Sequence, residues 1–108
     1  MSEPIIAFST CESFEDARRI ATHLVDRQLA ACVNILPGVV SIYRWQGKVD
    51  QSAEVMLVIK SNRRLVAEIQ REFKTLHPYE LPELVVLPIA GGSSQYLAWL
   101  EGSLRPIF

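Results

Sequence analysis

At 108 residues the chain has the size of one domain, and an apolar content of 49% supplies a core and excludes intrinsic disorder. Eleven basic residues against twelve acidic ones give a net charge of −1, without the basic excess that phosphate binding needs, so nucleic acid is not an expected partner. No stretch approaches the eighteen apolar residues of a membrane helix, residues 1–4 lack a basic leader, and the two cysteines, outside any C-x-x-C spacing, fit free thiols in a reducing compartment. One domain spanning 1–108, cytoplasmic and away from membranes, is the expectation.

Residues 5–10 form a short apolar run that reads as a strand buried on both faces. Cys11, Glu12 and Ser13 make a turn, and Ser13 can cap a helix whose first turn carries Glu15 and Asp16. Ala17, Ile20, Ala21 and Leu24 then recur at helical spacing, which predicts a helix over 14–29 with His23 on its surface. Residues 31–60 read as one long β-hairpin turning at Gln46-Gly47, with a bulge or bend where Pro37-Gly38 interrupts its first arm. Ser61 or Asn62 caps a second helix, with Leu65, Ile69, Phe73 and Leu76 on its buried stripe and an end before His77-Pro78. A loop over 77–82, a strand over 84–89, a break at Gly91-Gly92 with Ser94 as a cap, a short helix around Tyr96 and Trp99, and a tail over 104–108 complete the chain.

This order, β-α-β-β-α-β plus a terminal helix, is the ferredoxin-like, split βαβ arrangement of the α+β class. Four antiparallel strands would carry two helices on one face. Each hairpin arm is about twice the usual strand length, too long for a body whose radius of gyration should be ~13 Å. Part of the hairpin must therefore project, and a projecting arm bearing Ile42, Tyr43 and Trp45 needs a partner. The apolar strands also need cover on the face without helices, so association with sister subunits is expected.

Several separated blocks carry a resemblance to a known family. They are residues 29–34 (LAACVN), 43–48 (YRWQGK), Glu54-Val55 with Ile59-Lys60, 77–80 (HPYE), Pro82-Glu83 and 96–100 (YLAWL). In this order they are similar to the CutA proteins, the divalent-cation tolerance family. The resemblance implies a ferredoxin-like subunit, a homotrimer like that of the PII signalling proteins, and binding of copper or another divalent metal. Family copper binding is attributed to a cysteine ending the first strand and two histidines before the proline. Here those positions are Ser9, Leu76 and His77, so His77 alone matches, and weak Cu2+ binding is the expectation.

His77 is the leading candidate metal ligand, with Cys11 and Glu80 as possible companions, since imidazole suits copper and a carboxylate can ligate or orient it. The competing reading has His77 capping the last carbonyls of its helix. Cys32 reads as a buried small hydrophobe. The resemblance places Tyr43, Trp45, Lys60, His77, Tyr79 and Glu80 near a cleft between subunits, where a small molecule could bind. The same residues also fit an interface held by aromatics. No G-x-S-x-G, phosphate-binding glycine loop or H-E-x-x-H is present, so no enzyme is indicated. Two further readings stay open: a small enzyme acting on an anionic substrate around Lys60, His77 and Tyr79, and a scaffold trimer for another protein.

Overall fold

The computed structural model describes residues 3–106; Met1, Ser2 and the last two positions of the expected tail lie outside them. The elements are β1 (Pro4–Cys11), α1 (Phe14–Asp26), β2 (Cys32–Trp45), β3 (Lys48–Asn62), a 3-10 turn (Arg63–Leu65), α2 (Val66–Leu76), β4 (Val85–Pro88) and α3 (Ser94–Gly102). All strand pairs are antiparallel, in the order β2-β3-β1-β4. This is the expected ferredoxin-like α+β architecture.

One face of the sheet carries the core. Ile5, Ala7, Ser9 and Cys11 alternate inward along β1, as do Val55, Leu57, Ile59 and Ser61 along β3. They pack with Ile20 and Leu24 of α1 and Ile69 and Phe73 of α2. Each fully buried side chain of this size contributes roughly 1.5–3 kcal/mol of burial free energy.

The opposite face lacks the α1–α2 layer, and α3 reaches it at its base, where the Tyr96 hydroxyl accepts from Lys60 Nζ. Ile6, Phe8, Met56 and Val58 are only half-buried there, and Val85 and Leu87 of β4 are 50% and 49% exposed. β1 is thus covered on one face rather than two, which explains how a strand without polar alternation can still sit on a one-sided sheet. The hairpin projects as its length requires, and the chain measures 44 × 27 × 23 Å. Beyond the body one face of the arm carries apolar side chains, with Ile42 69% and Val49 71% exposed.

Local signals explain most boundaries. Ser13 Oγ accepts from the Asp16 amide at 3.1 Å and starts α1. The helix stops at Asp26, short of the expected residue 29, because Gln28 takes a left-handed φ of 56° and the Leu29 and Ala30 amides return to the Leu24 carbonyl. The hairpin turn is of the primed kind, with φ of 50° at Gln46 and 78° at Gly47. The expected bulge falls between Leu36 and Val39, with Gly38 at φ 83°. Asn62 is the cap before α2, while Ser61 is buried and donates to the Leu29 carbonyl at 2.6 Å. Ser93 rather than Ser94 caps α3. His23 is not a free surface group: its Nε2 lies 2.6 Å from Glu72 Oε1 and clasps α1 to α2.

Among the described residues, Ser9 Oγ is a buried hydroxyl without a hydrogen-bond partner. Such a group keeps its desolvation cost without the offset of a bond. Ser9→Ala is expected to raise the unfolding free energy by about 1 kcal/mol in urea denaturation; a loss of stability would show that the hydroxyl is satisfied.

Candidate functional site

The loop after α2 builds the site. Pro78 forces the chain out of the helix at His77, and the loop folds back over the end of β1. The His77 ring enters the core and is 6% exposed. Its Nδ1 accepts the Tyr79 amide N–H at 3.1 Å, which fixes the proton on the other nitrogen; that Nε2–H donates to the Thr10 carbonyl at 2.9 Å. The ring lies between those of Phe73 and Tyr79, with centroids 5.3 and 5.0 Å away. Burial pushes its pKa below the ordinary histidine range, against the Thr10 hydrogen bond, which acts the other way.

Tyr79 carries the arrangement onward. Its hydroxyl donates to Glu54 Oε2 at 2.7 Å, and its pKa is raised, first by burial and then by that carboxylate. Beyond this pair opens a concavity of about 950 Å³ on the uncovered face of the sheet. The hairpin supplies Tyr43, Trp45, Asp50, Ser52 and Glu54, and the loop supplies Tyr79, Glu80 and Glu83. Tyr43 and Ser52 hydroxyls are 3.2 Å apart across the two arms. Glu83 has its pKa raised by desolvation and then by the charge of Glu54. No lysine or arginine lines the concavity. It is an acidic, aromatic basin, of the size of small-molecule sites.

Four of the six cleft residues expected from the sequence, Tyr43, Trp45, Tyr79 and Glu80, thus share one concavity, with His77 buried behind it. Lys60 is elsewhere. It lies six positions along β3 from Glu54, roughly 20 Å at ~3.3 Å per residue, and its Nζ donates to the Tyr96 hydroxyl at 3.3 Å. Asp50, Ser52, Glu54 and Glu83 are not among the site residues expected from the sequence, although Glu54 and Glu83 lie in the blocks that carry the resemblance. Strand alternation carries the signal for the first three, since in the observed register they share the face of Tyr43 and Trp45.

The chain matches the family model described as "CutA1 divalent ion tolerance protein" over residues 5–103. It belongs to the CutA1 family. A Thermus thermophilus relative named "Divalent-cation tolerance protein CutA" is 48% identical over 89% of this chain and 93% of its own. Among solved structures, CutA1 from Oryza sativa superposes with a TM-score of 0.92 at 41% identity, covering 95% of this chain and 94% of that one. The periplasmic divalent cation tolerance protein CutA of Archaeoglobus fulgidus gives 0.90 at 33% identity, over 94% and 99%.

The relatives are named for tolerance of divalent ions, and the described residues of this chain do not assemble a chelate for one. Both His77 ring nitrogens are engaged by backbone groups. Cys11 is fully buried in β1, its thiol donates to the Ser13 carbonyl, and burial, with the Asp16 charge second, pushes its pKa up to about 11. A thiol held protonated is a poor metal ligand and a poor nucleophile. Glu80 is exposed on the loop. Among the described residues no three His, Cys, Asp or Glu side chains form a group able to hold a metal ion. Cys11, His77 and Glu80 are therefore not brought into a chelating set within one chain. Cys32, half-buried at the start of β2, is also a free thiol.

Proposed function

We propose that the chain works as a non-enzymatic homotrimer of the CutA type, cytoplasmic, whose working site is the Tyr79–Glu54 concavity set at a boundary between subunits. The observation that supports this most directly is the concavity itself, with four carboxylates, three aromatic rings and no basic side chain. A basin of this composition favours a cation over a phosphate, through Coulomb attraction and the faces of Trp and Tyr rings. Direct binding of a divalent ion is weak, because the carboxylates do not converge on one point. Exposure of apolar side chains on the uncovered sheet face and along the projecting hairpin supports the trimer, since large apolar patches mark interaction surfaces.

Calorimetric titration of Cu2+ into the tag-free protein tests the site. Weak binding is expected, reduced several-fold by Glu54→Gln and not abolished by His77→Ala. Tight binding at one ion per chain, lost in His77→Ala, would overturn this reading.

A further inference from the structure

The carboxylates of the concavity are spread out rather than gathered. Asp50 and Glu54 share one face of β3 and lie four positions apart, roughly 13 Å at ~3.3 Å per residue. Asp50 stands towards the hairpin tip, opposite Tyr43 in the register and with Trp45 as its diagonal neighbour. Glu54 stands nearer the body, where Tyr79 donates to its Oε2 and where its charge acts on Glu83. Each end thus sets a carboxylate beside an aromatic ring. Ser52 lies midway on the same face, and the Tyr43 hydroxyl is 3.2 Å from its Oγ, so the Tyr43 side chain runs along the span. Leu81, 76% exposed, adds aliphatic surface to the wall. Among the described residues neither Asp50, Glu54 nor Glu83 takes part in an ion pair.

We propose that the concavity takes a linear aliphatic polyammonium ion, with one ammonium at the Asp50–Trp45 end, another at the Glu54–Tyr79 end, and the methylene chain along Tyr43 and Leu81. The proposal rests on the cation reading above and names the class of cation. The separation of the charges carries it. A divalent metal ion needs several oxygens converging on one point, at about 2.3–2.6 Å for calcium, and here no three carboxylates of the described residues converge. A bare ion or a monoammonium would serve one end and leave the other without a counter-charge. An ion charged at both ends answers both carboxylates, and each ammonium also meets the face of a ring. Its hydrocarbon chain leaves water for the ring and aliphatic surface between them.

Calorimetric titration of spermidine, butylamine and Mg2+ into the tag-free protein at matched ionic strength tests this. Spermidine is expected to bind at least ~10-fold more tightly than either of the others, because its second ammonium binds as part of the same molecule. Asp50→Asn and Glu54→Gln should each bring spermidine down to the level of butylamine. Asp26→Asn, which removes a carboxylate from the end of α1 on the helical side of the sheet, should leave all three unchanged. Circular dichroism checks that each variant is folded; Asp50 is exposed on the arm, so Asp50→Asn still decides if Glu54→Gln disturbs the Tyr79 bond. Spermidine bound no more tightly than butylamine, with both weakened by Glu54→Gln, would overturn this inference and leave the basin a cation site. Equal losses in Asp26→Asn and Asp50→Asn would overturn it in the same way, as an effect of net charge alone. Absence of spermidine binding beside Cu2+ binding that Glu54→Gln weakens would also overturn the inference alone. Absence of spermidine binding beside Cu2+ binding that Glu54→Gln leaves untouched would overturn both the inference and the cation reading.

Discussion

His77→Ala is expected to lower the unfolding free energy by about 2–4 kcal/mol, from lost packing between two rings and two backbone groups left without partners. Urea denaturation with fluorescence detection measures it. A pH dependence follows from the same burial. The folded pKa of His77 is depressed, burial being the main cause, so the group contributes stability that is fully present above the unfolded value of about 6.5. That contribution is lost as pH falls through the lower folded value. Protonation would put a proton on Nδ1, where the Tyr79 amide already points, and so detach Tyr79 and with it the Glu54 bond. Wild-type stability should therefore fall on acidification below the ordinary histidine range more steeply than that of His77→Ala. Identical slopes in the two proteins would mean that His77 is not held neutral in the core.

The second large effect concerns assembly. Leu87→Asp changes a side chain that is half-exposed in the single chain and should cost its fold less than about 1 kcal/mol. In an assembly that covers the open face, the same change buries an unpaired carboxylate, which costs several kcal/mol. The concentration for half-dissociation is expected to rise by at least ~100-fold. Sedimentation velocity over a dilution series reads this directly. An unaltered mass in the variant would place the subunit contact on another face.

The architecture was open to sequence reading because each element carried its own period: 3.6 for the stripes Ala17–Leu24 and Leu65–Leu76, and turn chemistry at Gln46-Gly47 and Pro37-Gly38. Errors gathered where a rarer backbone state decided the outcome. Gln28 ends α1 in a left-handed conformation that glycine or asparagine would have advertised and glutamine does not. At the two later caps, adjacent Ser or Asn residues compete, and burial of Ser61 against the Leu29 carbonyl settles the first.

The site was half visible. Tyr43 and Trp45 share a face by strand alternation, and that rule reaches Asp50, Ser52 and Glu54 once the hairpin register is known. The fate of His77 could not be read locally. Its acceptor, the Thr10 carbonyl, is 67 positions away in sequence, and only the return of the 77–83 loop over β1 brings them together. The same long-range closure turns a residue with the chemistry of a metal ligand into an internal brace for Tyr79. Lys60 shows the converse. Its strand position is plain from the sequence, yet its distance from the carboxylates along β3 is compatible with a shared cleft only when more than one chain is considered.

The most direct test of the proposed assembly is the mass of the tag-free protein by light scattering at micromolar concentration. Three times the 12.2 kDa chain mass is predicted, independent of concentration down to the detection limit. A particle of 12.2 kDa would contradict it, and would leave the open sheet face and the acidic concavity as features of a solitary chain.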